Sequence, residues 1–135
     1  MYQGSCLCSK VTFEVKKFKH AIAHCHCNMC QKFHGAAFST FAEVALADLN
    51  WLSGHELITS YQAKNDTTRQ FCRECGSSLT FSSKYNRKDK TLEIAIAALD
   101  ALPNKLDVNA HIFTESKVKW LNLNDDIPKY LRFRT

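Results

Sequence analysis

The chain has 135 residues, 45% of them hydrophobic and 23% charged, with a formal charge of +5: too short for two ordinary domains, with the composition of a folded protein that excludes a low-complexity tract and an internal repeat. Residues 1–20 lack the apolar core of a signal peptide and nowhere do about 18 apolar residues run together, so the expectation is one soluble, cytoplasmic domain over 1–135 with no membrane partner. Seven cysteines favour metal ligation over disulfides in such a compartment; ionised on two divalent ions they would also lower the charge to about +2, which weakens the case for a nucleic-acid partner.

In chain order, the first feature is the pair Cys6 and Cys8 in GSCLC. Period-two alternation predicts a strand over 11–15 (VTFEV); the cluster HCHCNMC then holds Cys25, Cys27 and Cys30. A strand is expected over 37–44 (AFSTFAEV), a short helical piece at ALADLN, and another strand over 55–61 (HELITSY). The turn KNDTT leads to Cys72 and Cys75 in FCRECG, followed by a strand over 78–83 (SLTFSS). KYNRKDK is expected to be a solvated loop between that strand and one over 91–99 (TLEIAIAAL). A last strand is predicted over 108–113 (VNAHIF), with Phe113 and Trp120 in the core, and a helical turn near DDIPKYL, where Pro128 suits the first position. No amphipathic helices of 10–15 residues alternate with the strands, so the fold class is mainly β and antiparallel.

The cysteines fall as two, three and two. Zinc takes four ligands in a structural site, and three plus an open position in a catalytic one. The only partition that keeps each cluster intact and completes a tetrahedron joins the pairs. Cys6, Cys8, Cys72 and Cys75 then form a structural site that ties the amino terminus to a distant turn, with Gly76 free to take the positive φ of a knuckle. A thioredoxin-like reading of FCRECG needs a helix after it, whereas a strand is predicted there. Cys25, Cys27 and Cys30 are left as an open three-thiolate centre. The alternative is closure by His20, His24, His26 or His34, which would make both metals structural. His24 and His26 alternate with the cysteines and point to the opposite face of an extended strand, so they are expected to pack or lie at the surface; His34 is the better rival.

Three thiolates make a divalent ion a weaker Lewis acid than three neutral imidazoles would, which disfavours hydrolysis. A soft, sulfur-rich centre suits capture of another thiolate. A free thiol is only about 3% ionised at pH 7, so enforced ionisation raises the nucleophile's population roughly thirtyfold, offset by the lower reactivity of a bound thiolate.

The motifs GSCLC, CHCNMCQK, FCRECGSSL, HIFTESKVKW and DDIP together resemble the glutathione-dependent formaldehyde-activating enzymes, a group that includes the centromere protein V domain. The likeness runs from about residue 3 to 133 and includes all seven cysteines; Ser9 stands where the family usually has glycine. The resemblance implies a β-tent fold of several small coiled antiparallel sheets, shared with Rab-binding accessory factors. It implies the same division into a structural zinc and a catalytic zinc on Cys25, Cys27 and Cys30. It also implies carbon–sulfur lyase-type chemistry in which glutathione joins a small electrophile, formaldehyde. Glutathione has two carboxylates, so Lys32, His34, Arg69, Arg73 and His111 are candidate substrate contacts by proximity or motif. Two other classes remain: a zinc-binding module for nucleic acid or protein using KKFKH and KYNRKDK, and a thiol or metal sensor.

Overall fold

The computed structural model describes residues 1–101 and 106–134. Among them, β1 (Tyr2–Ser5), β2 (Thr12–Val15) and β5 (Leu49–Ser53) form a three-stranded sheet in the order β1-β2-β5. A second sheet of seven strands contains β3 (Ile22–Cys25), β4 (Ser39–Ala45), β6 (Ile58–Gln62), β7 (Thr68–Cys72), β8 (Ser78–Ser82), β9 (Thr91–Ala95) and β10 (Ala110–Ile112). Its order is β10-β3-β4-β9-β8-β7-β6. The mainly β fold is the one expected from the alternation. Its pairings are antiparallel except for β10 with β3, which run parallel.

The period of two divides the large sheet between two cores. On β4, Val44 joins Phe13 and Val15 of β2, Leu79 of β8 and Ile94 of β9 in the main core, to which Cys6 and Cys72 also belong. Phe41 turns to the other face, where it packs with Cys30 and Ala95, and with Cys25, Cys27 and Phe81 at the margin. The cysteine pairs and the cysteine trio thus sit on opposite faces of one sheet. The Phe13 ring lies across Gly4, its partner on the neighbouring strand β1, because residue 4 is glycine: a Cβ there would run into that ring.

Several local expectations are corrected. KYNRKDK is not a loop but carries α2 (Lys84–Asp89), whose amino end has a capping box between Ser83 and Asn86. The helical turn near DDIPKYL is absent. That segment runs alongside β10 instead: the Pro128 carbonyl accepts from His111 N–H at 2.9 Å, and Tyr130 N–H donates to the His111 carbonyl at 2.9 Å. Proline has no N–H to give but its carbonyl serves an edge pairing as well as any other. ALADLN gives only a 3-10 turn, Leu46–Asp48, before β5 begins. The strands predicted over 55–61 and 91–99 each lose one end to a 3-10 turn, His55–Leu57 and Ile96–Ala98. Trp120 is not in the core but 75% exposed, on an irregular segment beyond β10.

Candidate metal centres

The four-cysteine group is built from two turns. Cys6 N–H donates to the Val11 carbonyl at 3.0 Å and Ser9 N–H to the Cys6 carbonyl at 2.9 Å, closing the turn that presents Cys6 and Cys8. Ser9 takes φ 65°, the left-handed region. The second turn joins β7 to β8, with Gly76 at φ 78° and its N–H on the Cys72 carbonyl at 2.7 Å. The positive φ expected of Gly76 is present, and a strand rather than a helix follows. Leu7 N–H donates to Ser77 Oγ at 2.8 Å and fastens one turn to the other. The sulfurs of Cys6, Cys8, Cys72 and Cys75 all lie within 4.8 Å of one another. Four soft donors at that mutual spacing can hold one tetrahedral metal ion. Arg73 belongs to this turn and is exposed, far along the chain from the trio.

The trio sits where β3 runs into α1 (Asn28–His34). Cys25 ends the strand; Cys27 is the helix N-cap and its sulfur accepts from Cys30 N–H at 3.4 Å. The C-x-x-C spacing is therefore the N-cap to N3 spacing of a helix, which brings both sulfurs to one side. Gly35, at φ 59°, ends the helix after two turns. Gln31 pins this corner: its side-chain amide donates to the His26 carbonyl at 2.6 Å and to the Ser116 carbonyl at 2.9 Å. The sulfurs of Cys25, Cys27 and Cys30 lie within 4.8 Å of one another, and among the described residues no histidine nitrogen or carboxylate completes the group. Hydrogen bonds from the Cys25 thiol, and then from the Cys30 thiol, hold Cys27 far below the ordinary thiol range, while the same sharing pushes Cys25 far above it.

The histidines around the trio do other work. His26 is fully buried; its Nε2 and His111 Nδ1 are 2.9 Å apart, and His111 Nε2 is 2.9 Å from Asp125 Oδ2. Asp125 accepts from His111 Nε2–H, and the direction of the hydrogen bond between His111 Nδ1 and His26 Nε2 follows the tautomers of the two rings. Burial, and then the neighbouring His111, lower His26 to about 4. His24 packs on Phe38, with its Nδ1 2.7 Å from Thr40 Oγ1. Both are packing residues, as expected from their alternation with the cysteines.

The five candidate substrate contacts do not converge. Lys32 is exposed on α1, Arg73 is at the other thiol cluster, and His111 is buried in the chain to Asp125. His34 stacks edge-on against Phe41 at 5.4 Å and its Nε2 is buried without a partner. Arg69 is buried at 3% exposure; its two terminal nitrogens lie 3.6 and 3.5 Å from Cys30 Sγ.

A cavity of about 160 Å³ opens beside the trio, lined by Cys25, Phe41, Glu43, Glu93, Ile112 and Arg134 among others. Glu43 and Glu93 face each other across β4 and β9. Burial and then the facing Glu43 push Glu93 up to about 7. A larger concavity of about 310 Å³ lies along β2 and β5, where no thiol reaches it. Sequence reasoning missed Gln31, Glu43, Glu93, Asp125 and Arg134. Nothing in their spacing marks Glu43, Glu93 or Arg134, which come from separate strands or the carboxy-terminal segment, whereas Gln31 and Asp125 stand inside the motifs CHCNMCQK and DDIP without a role legible from spacing.

A small, mainly β domain that gathers its thiols into one complete tetrad and one incomplete triad is the class defined by this fold and these sites. The profile of the glutathione-dependent formaldehyde-activating enzymes matches residues 1–116, and the chain belongs to that family. It is 26% identical over 81 residues to an uncharacterized lyase of Schizosaccharomyces pombe, a match that covers 60% of this chain and 57% of that protein. A crystal structure of a Rhodobacter sphaeroides protein superposes with a TM-score of 0.63 at 25% identity, covering 76% of this chain and 92% of the other. No helix among the described residues is long and apolar enough to cross a membrane.

Proposed function

We propose that this chain is a zinc-dependent enzyme of the carbon–sulfur lyase type, acting on adducts of glutathione or another thiol with formaldehyde or a related small electrophile. Cys6, Cys8, Cys72 and Cys75 hold a structural zinc; Cys25, Cys27 and Cys30 hold the catalytic one. The observation that carries this reading is the incomplete triad, whose three sulfurs cluster without a histidine nitrogen among the described residues. Family membership and the name of the yeast relative support the reaction class.

A zinc ion held by three thiolates supplies a soft fourth position for the sulfur of a substrate thiol. The chain's own residues supply the rest. Gln31 fixes the corner between β3 and α1, so the three sulfurs converge without rearrangement. Phe41, only 8% exposed, forms an apolar wall of the cavity that opens at Cys25. Arg134 in that wall offers a cation to a substrate carboxylate, and protonated Glu93 offers a proton near an oxygen that gains charge.

Native mass spectrometry with glutathione titration tests the reading, alongside an assay of S-hydroxymethylglutathione formation and cleavage. The expected result is two zincs and one retained glutathione. Cys27→Ala should lose one zinc, the glutathione and turnover together while staying folded. The reading fails if Cys27→Ala leaves turnover unchanged.

A further inference from the structure

Arg69 is a cation in an unusual place. It is 3% exposed, yet among the described residues no carboxylate makes an ion pair with it. Its guanidinium lies between the rings of Phe33, at 5.5 Å, and Phe81, at 5.0 Å. Its terminal nitrogens point at Cys30 Sγ, and its Nε is buried without a partner. The carboxyl on the same row of the sheet, Glu93, lies beyond Phe81, which pairs with Arg69 on one side and Glu93 on the other. Arginine stays protonated under all ordinary conditions, and a buried charge without a counter-ion costs several kcal/mol. Two aromatic faces offset only part of that cost. The group nearest its terminal nitrogens is the sulfur of Cys30, which would carry negative charge when the triad ligates a metal.

We propose that Arg69 is the fixed counter-charge of the Cys25–Cys27–Cys30 centre and makes that centre prefer an anionic thiolate over a neutral donor as its fourth partner. The inference rests on the triad holding a divalent metal. Three thiolates and a divalent ion leave one negative charge, which repels a fourth anion. The guanidinium cancels that charge from its place against Cys30, and neither Arg69 nor Cys30 lines the cavity at Cys25 and Phe41. An incoming thiolate then meets a neutral centre. Arg69 is thus a positioning and specificity residue that acts through Cys30 and does not touch substrate, which replaces the expectation that it binds a glutathione carboxylate.

The test uses the full chain loaded with cobalt(II), whose absorption bands report how many sulfurs surround the ion. Glutathione and imidazole are titrated against wild type, Arg69→Gln and Arg69→Lys, and occupancy of both metal sites is counted by native mass spectrometry. Wild type should prefer glutathione to imidazole. Arg69→Gln should weaken glutathione about tenfold or more while leaving imidazole within a factor of about two, and Arg69→Lys should recover part of the loss because it keeps the charge without the two-pronged contact. Equal weakening of both ligands in Arg69→Gln would indicate a packing role and overturn the proposal, as would unchanged glutathione affinity. If Arg69→Gln does not fold, the wild-type comparison still decides, since a preference for imidazole overturns the proposal. A wild-type triad that takes neither metal nor thiol overturns the proposed function as well, whereas normal thiol uptake in Arg69→Gln overturns only the role of Arg69.

Discussion

Ser9 holds φ 65° in the turn between Cys6 and Val11, a conformation that brings its Cβ toward the backbone and costs an L residue about 1 kcal/mol relative to glycine. Ser9→Gly should therefore raise stability by about 1 kcal/mol in chemical denaturation, offset by the larger chain entropy of glycine when unfolded. Glu93 offers a second test at this scale. Its carboxyl titrates near 7 in the folded protein against an ordinary value of 4.5, so between those values the folded state binds the extra proton and stability falls as pH rises. Glu93→Gln should flatten that fall, and the difference between wild type and variant should change by about 3 kcal/mol between pH 4 and pH 8. Urea denaturation of both proteins across that range measures it, and parallel curves would show that Glu93 is not the group responsible.

Short elements carry the site. α1 has seven residues, too few to be stable alone, and is held by the N-cap at Cys27, the left-handed Gly35 and the two hydrogen bonds of Gln31. Gln31→Ala leaves two carbonyls without those donors, and it should cost about 1 to 2 kcal/mol and lower zinc retention at the triad more than at the tetrad. Chelator competition with mass spectrometry checks this. α2 shows why one element was illegible: KYNRKDK is polar all round and has the composition of a loop. Ser83 and Asn86 nevertheless bond each other's backbone N–H, and Asn86 also reaches Thr91 Oγ1 at 3.0 Å. Asn86→Ala should cost about 1 to 2 kcal/mol, read as a lower thermal midpoint with metal content unchanged.

Across the whole molecule, β7 links the two thiol clusters. It carries Arg69 toward Cys30 and, three residues further on, Cys72 in the tetrad. The tetrad closes a chain segment of more than sixty residues and shares Cys6 and Cys72 with the main core. The triad lies on the other face in a smaller cluster. Metal removal should therefore proceed in two stages: a mild chelator empties the triad with the far-ultraviolet circular dichroism unchanged, and emptying the tetrad unfolds the domain. Loss of both metals in a single step together with the fold would contradict this order.

The grouping of seven cysteines, the alternation of most strands and the turn at Gly76 are local patterns, and the sequence by itself determined them because they depend on neighbours a few positions apart. Four strands, β1, β3, β5 and β7, are not predicted: IAHC and TRQFC carry polar or ligand residues at positions that alternation would leave apolar, YQGS is too short to show a period, and the helical reading of ALADLN covers the start of β5. The Asp125–His111–His26 chain, the facing of Glu43 and Glu93, and the burial of Arg69 against Cys30 were decided only by the tertiary structure. Each depends on strand order and register, which join residues 14 to 85 positions apart in sequence. Spacing within a motif specifies which sulfurs can share a metal; only the sheet specifies what charge lies beside them.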